Sequence, residues 1–418
     1  MRYNPFRPNG MVAPGMFAGR DEELKAIEQS LFQTKNENPH HFLNQGERGI
    51  GKSSLFVYVD IVASGELAAE DGSKLRFITI SVDLNGCASQ LDIVRAIGRE
   101  LRRTMSTREW LKARAKKVWD WVTNWEVLGV AFHGARPDML EDARDSLVDR
   151  IVDLCDGVKD EIDGILILID EADSPGPEAE LGSFVKLFTE RLSRRRCNKV
   201  LIGMAGLPSI IARLKESHES SARIFEVYSL QPLEPTEREW VVQRGLTVAN
   251  EKNEKPTQIT TAALKMICEL SEGYPHFLQQ FAFSAFAEDS DYVVDVEDVA
   301  RGAFNENGAL AQLGVKYFSE MYHARINSED YRRVLDTMAD HGDEWVAKAT
   351  LIKETPKVTE HNVGNALAAL KEKKIILQEE GKRGLYRLPT KSFAAWINAV
   401  KASREKPPDL IKSLFESE

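Results

Sequence analysis

The sequence predicts an α/β fold: a parallel sheet covered by helices on both faces, then a helical region, then a C-terminal winged helix-turn-helix. Three observations carry that expectation. Strands alternate with helices as far as about residue 232. GILILID, residues 164–170, is an uninterrupted apolar run of the kind found in strands buried on both faces. After Pro235 the apolar period becomes almost purely helical.

A chain of 418 residues exceeds what one core usually serves, so two or three domains are expected. With 43% apolar and 29% charged residues the composition is that of a globular protein. No run approaches the ~20 apolar residues that cross a bilayer, so no membrane contact is expected. Met1 to Gly10 lacks the apolar centre of a secretory signal, and Cys87, Cys155, Cys197 and Cys268 show no CxxC spacing. These features read as a reducing, cytoplasmic setting with neither zinc nor disulfides. A net charge of −10 argues against coating nucleic acid by bulk electrostatics. Residues 326–418 hold 16 basic and 15 acidic side chains, so −11 falls on the first 325 and any nucleic-acid contact must be local.

Residues 1–39 read as a Pro/Gly-rich entry segment with a helix from Asp21. The sheet region, 40–232, has strands at 40–45, 75–84, 164–170, 199–206 and 225–230, with a helical insertion over about 106–160 in which VLGVAF is the one strand candidate. Within the insertion, Leu111, Ala115, Val118, Val122 and Trp125 make one helical stripe, and Leu147, Ile151 and Leu154 another. The helical region, 233–325, opens on a T-x-x-E capping box at Thr236 and Glu239 and continues in helices near 259–271, 275–287, 295–305 and 308–324. Residues 326–405 have the order of a winged helix, and 406–418 form a charged tail. No internal repeat or low-complexity tract interrupts this order.

The segment Gly46-Glu47-Arg48-Gly49-Ile50-Gly51-Lys52-Ser53 satisfies GxxxxGK[ST] between a strand and a helix, and Ser54 continues the loop into that helix. The glycines let backbone N–H groups converge on phosphates, and the helix N-terminus adds a favourable dipole. Lys52 is expected to reach the β and γ phosphates, and Ser53 to offer its hydroxyl to Mg²⁺. Asp170 and Glu171 follow the buried apolar run, at the strand end where open α/β sheets bind ligands. Asp170 is expected to hold the Mg²⁺ shell, and Glu171 to polarise water for attack on the γ-phosphate. The triphosphate is expected where the first and third strands emerge side by side.

On these residues, together with PGMFAGRDEEL (Pro14, Phe17, Gly19, Arg20, Glu23), ILILIDEAD, VLIGMAGLP and GYPHFLQQ at 273–280, the chain resembles AAA+ ATPases of the origin-recognition-like class and the related signal-transducing (STAND) and archaeal-type ATPases. The resemblance spans roughly residues 14–395. It implies ATP and Mg²⁺ as ligands, with Phe17, Gly19, Arg20, Gly273 and Pro275 near the adenine and Arg223 as an arginine finger for a neighbouring subunit. Two departures stand out: Gly203-Met204-Ala205-Gly206 replaces the polar sensor of replicative members, and Tyr274-Pro275-His276 replaces a sensing arginine. Both point to a slow, switch-like ATPase rather than a fast motor.

Two partner readings follow. In one, nucleotide state controls homo-oligomerisation or assembly with a separately encoded effector, as in antiviral or conflict signalling. In the other, the winged helix binds DNA, as in initiators or transposition regulators. Lys371, Lys373, Lys374, Lys382, Arg383 and Arg387 make the wing and its approaches basic, and His361, Asn362 and Asn365 are the side chains expected to be exposed on the recognition helix. Residues 102–125 interleave Arg102, Arg103, Arg108, Lys112, Arg114, Lys116 and Lys117 with Trp110, Trp119, Trp121 and Trp125. That pattern fits a grip on single strands or a partner, and equally a solvated basic face over a small core.

Overall fold

The computed structural model describes residues 2–11, 14–120, 123, 137–324, 326, 328–379 and 384–405. They form two compact units, one from Gly19 to Gln231 and the other from the residues up to Ala18 together with those from Pro232 on.

In the first unit, strands β1 (His41–Gln45), β2 (Phe77–Asp83), β3 (Gly164–Asp170), β4 (Val200–Gly206) and β5 (Phe225–Ser229) form one sheet in the order β2-β3-β4-β1-β5. Every pairing in it is parallel. The strand order corrects one expectation: β1 and β3 are not neighbours, because β4 lies between them. Nothing in the local sequence of a strand specifies its place across a sheet.

Helices α1 (Asp21–Lys35), α2 (Lys52–Ala63), α3 (Gln90–Ser106), α4 (Glu109–Arg114), α5 (Pro137–Gly157), α6 (Leu181–Arg194) and α7 (Ile210–Ser217) complete the unit. Ile165, Ile167 and Ile169 of β3 pack with Ile93, Val94 and Ile97 of α3 and Leu147, Ile151 and Leu154 of α5 in one core. The helix under the stripe starting at Leu111 is interrupted at Ala115, which takes a non-helical backbone between α4 and a helical segment at 116–120, while Leu111, Ala115 and Val118 are all buried in this core. A Cβ on Gly157 of α5 would lie 3.0 Å from the Arg114 carbonyl oxygen, tighter than ordinary van der Waals contact, so the two segments approach closely there. Val122, Trp125 and VLGVAF lie outside the described residues.

The second unit contains α8 (Pro235–Lys252), α9 (Thr261–Ser271), α10 (Pro275–Glu288), α11 (Val296–Phe304) and α12 (Ala309–Leu313). The helix entry at α8 differs from expectation. Pro235 occupies the first helical position, where its missing N–H costs nothing, and the Glu237 carboxylate accepts the Glu234 N–H at 2.7 Å in place of the Thr236/Glu239 box. The helix expected over 308–324 is α12 followed by two π-helical turns, Gly314–Phe318 and Glu320–Ala324. Two-residue strands β6 (Gln258–Ile259) and β7 (Val293–Val294) pair in parallel, and neither is visible as a periodic run.

Helix α13 (Glu329–Asp340), β8 (Val346–Ala347), α14 (Lys348–Glu354), α15 (Glu360–Glu372), β9 (Leu377–Gln378) and β10 (Leu385–Arg387) give the order of a winged helix, closed by α16 (Lys391–Glu405). Its strands pair antiparallel in the order β8-β10-β9. Val363, Leu367 and Leu370 are buried as expected for a recognition helix. The helical region and the winged helix share one core. Phe318 packs 5.9 Å from Phe277 of α10, 5.2 Å from Phe393 and 5.9 Å from Trp396, both of α16. Among the described residues no helix is long and apolar enough to cross a membrane.

Candidate functional site

The loop that leaves β1 is fixed at both ends by backbone. Gly46 donates its N–H to the Gly206 carbonyl at 3.1 Å, and a Cβ there would lie 2.8 Å from Ile50 Cγ2. Gly49 and Gly51 take φ of 80° and 103°, the left-handed region that side chains avoid. Gly51 then caps α2, whose first turn offers backbone N–H groups without helical partners. Glu47 and Arg48 are exposed, Gly49, Ser53 and Ser54 are half-buried, and Ile50 is buried.

Lys52 Nζ donates to the carbonyls of Gly46 at 2.8 Å and Glu47 at 3.1 Å, so its ammonium lies over the loop. Burial lowers its pKa, while Glu171, Asp170, Asp173 and Glu47 work to keep it charged. Across the width of β4, Ser53 Oγ donates to Asp170 Oδ2 at 2.6 Å. The sequence-predicted pair therefore meets although its parent strands do not. Asp170 Oδ1 accepts the Glu171 N–H at 2.8 Å, and Glu171 has φ of 49°, a left-handed backbone uncommon for a non-glycine residue. Burial, then Asp170 and Asp173, raise the Glu171 pKa against the opposing pull of Lys52 and Arg48.

Two residues of this site were not singled out from sequence. Asp173, 9% exposed, accepts the Leu207 N–H at 2.8 Å. Arg213 of α7 donates to the carbonyls of Asp173 and Pro175, the latter at 3.0 Å, bracing the segment that follows β3. The third acid of ILIDEAD was the available signal for Asp173, whereas Arg213 gives none.

The glycines of β4 have packing reasons. A Cβ on Gly203 would lie 2.3 Å from the ring of Phe42, its register partner on β1. One on Gly206 would lie 3.0 Å from Asp173 Oδ1. In the second unit, burial pushes the His276 pKa down to about 4, and its ring packs 5.3 Å from Tyr317, so it is neutral at pH 7 and no substitute for an arginine.

Arg20 bonds to backbone carbonyls of the sheet unit. Its guanidinium, in a residue only 5% exposed, donates to the carbonyls of Gly19 at 2.9 Å, Ile50 at 3.0 Å and Gln231 at 2.7 Å. Phe17, Gly273 and Pro275 belong to the second unit. There Gly273, with φ of 81°, is required because a Cβ would lie 2.4 Å from the Leu233 carbonyl oxygen.

Arg223 is exposed in the turn Ser221–Ile224 that enters β5. Because β5 runs parallel to β1 with Phe225 opposite His41, this turn and the Gly46 loop lie at opposite edges of the sheet. In the insertion, Lys112 lies 4.8 Å over the ring of Trp119 and pairs with Glu109, and Arg114 pairs with Glu161. These contacts fit the solvated-face reading, while Trp121 lies outside the described residues.

On the winged helix Lys371, Lys373, Lys374, His361 and Asn365 are exposed, and Arg387 stacks 5.0 Å over Trp345. Asn362 is not a free recognition side chain, because it donates to Asp330 Oδ2 at 2.8 Å and joins α15 to α13. Lys382 and Arg383 lie outside the described residues.

No family model matches this chain, and no curated protein matches it. Solved structures do. The Walker-type ATPase of Pyrococcus abyssi superposes with a TM-score of 0.57 at 17% identity, covering 94% of this chain and 99% of that one. The Aeropyrum pernix ORC2 protein, solved as ADPNP-ADP complexes, gives 0.54 at 15% identity, covering 97% and 99%. With the five-stranded sheet and the winged-helix order described above, the chain has the fold of the origin-recognition-like, AAA+ P-loop ATPases.

Proposed function

We propose that the chain binds Mg-ATP on the 46–54 loop and hydrolyses it slowly, as a cytoplasmic switch. The observation that carries this reading is the 2.6 Å pair of Ser53 Oγ and Asp170 Oδ2, beside the backbone donors at the start of α2. A hydroxyl and a carboxylate are hard oxygen donors that suit Mg²⁺, which keeps most of its shell for water and phosphate oxygens. When bound, Mg²⁺ would neutralise charge on the phosphates.

The chain's own groups do the rest. Lys52 exchanges its carbonyl partners for phosphate oxygens, the 46–54 backbone orients the triphosphate, and Glu171 takes a proton from the attacking water. The glycines in β4 leave the site without a charge-sensing side chain on that strand, which supports slow turnover. We divide the chain into an entry segment and helix over 1–39, a sheet domain over 40–232, a lid over 233–325, a winged helix over 326–405 and a charged tail over 406–418, the tail lying outside the described residues. Because the lid and the winged helix share one core, they respond to nucleotide together.

In this reading nucleotide state governs assembly with other copies or with a separately encoded effector, as in antiviral or conflict signalling. The exposed Arg223, on the sheet edge away from its own loop, supports contact in trans. Turnover per subunit should rise with protein concentration in the wild type. In Arg223→Ala it should stay low at every concentration with ATP affinity intact, and equal rates in both proteins exclude Arg223. A second reading, DNA contact through Lys371, Lys373, Lys374 and Arg387, is favoured by the exposure of the three lysines. Salt-sensitive filter binding that depends on ATP supports it, and no binding at low salt rejects it.

A further inference from the structure

Arg20 holds three carbonyl oxygens with one rigid donor fork, and each belongs to a different stretch of chain. Ile50 is in the phosphate loop. Gly19 and Gln231 are the first and last residues of the sheet unit, where the chain enters and leaves it. A trans peptide is planar, so the Ile50 carbonyl and the Gly51 N–H point in opposite directions. Gly51, at φ 103° with no side chain, has no steric means of its own to fix that plane.

We infer that Arg20 is a positioning residue: by holding the Ile50 carbonyl it sets the direction in which the Gly51 N–H meets a phosphate, and it ties that peptide to both chain exits at Gly19 and Gln231. This rests on the nucleotide reading of the loop. When the 50–51 peptide adjusts to a terminal phosphate, the same guanidinium must follow or release its carbonyl. The hydrogen bonds at Gly19 and Gln231 then change with it. A merely structural arginine would alter stability but not this response.

Hydrogen exchange tests the proposal, with Mg²⁺ and a non-hydrolysable ATP analogue as the probe, on peptides covering 46–53, 17–22 and 229–234. In the wild type, nucleotide should slow exchange about fivefold or more in the loop and also at both exits. In Arg20→Met the loop should still respond, while the exits change by less than about twofold. Arg20→Lys keeps the buried charge but cannot fork across three carbonyls, so it should show the same uncoupling, and it decides the matter if the methionine variant does not fold. Exits that respond in the variants as they do in the wild type overturn the proposal. So do wild-type exits that stay silent while the loop responds. A wild-type loop that does not respond overturns the nucleotide reading itself, and the role of Arg20 with it.

Discussion

Burial and the neighbouring Asp170 and Asp173 hold the Glu171 carboxyl above the usual carboxylate range. Only the ionised form accepts a proton from water, so turnover should fall as pH drops through that raised value, earlier than for an ordinary glutamate. In Glu171→Gln this acid limb should be absent and the optimum rate lower by about 100- to 10,000-fold, with ATP affinity kept. A pH–rate profile of both proteins checks this, and an undiminished rate in the variant would falsify the role of Glu171 as base. The loop from Gly46 to Ser54 and the Asp170-Glu171 pair were legible because residue type and spacing alone specify them. Asp173 and Arg213 were not, and Arg20 was named without its tie to Ile50, since each acts on a backbone group contributed by a distant stretch of chain. Gly203 read from sequence as a missing sensor, and only the ring of Phe42 shows that a side chain has no room there.

At the scale of elements, Glu272 joins α9 to α16: it follows the last turn of α9, and its carboxylate accepts the Ser392 N–H at 3.4 Å. Burial raises its pKa from 4.5 to about 7, helped by Asp343 and opposed by the backbone N–H groups of Lys391 and Ser392 and by the Lys391 charge. Between those two values the folded chain binds more protons than the unfolded one, so stability falls as pH rises from 4.5 to about 7, and the loss persists above. Glu272→Gln should therefore narrow the gap in melting temperature between acidic and alkaline buffer. A gap as wide as that of the wild type would rule the residue out as its source. Long periodic elements such as β3 and α5 could be read in advance. The break after α4 and the π-helical turns could not, and the close approaches beside them, Gly157 to Arg114 and Gly314 to the Trp396 ring, are not encoded by periodicity either.

At the scale of the molecule, each unit has its own core, and the sheet order β2-β3-β4-β1-β5 brings Ser53 and Asp170 together across β4. Alternation of strands and helices made the parallel sheet legible, but strand order is decided by crossovers that leave no local trace. The central claim is that one Mg-ATP is gripped by the loop beginning at Gly46. Titration calorimetry of the folded chain with ATP and Mg²⁺ tests it most directly. Saturable one-site uptake is predicted in the wild type, weakened at least about tenfold in Lys52→Ala. No uptake by folded wild type, or uptake unchanged in Lys52→Ala, would contradict it.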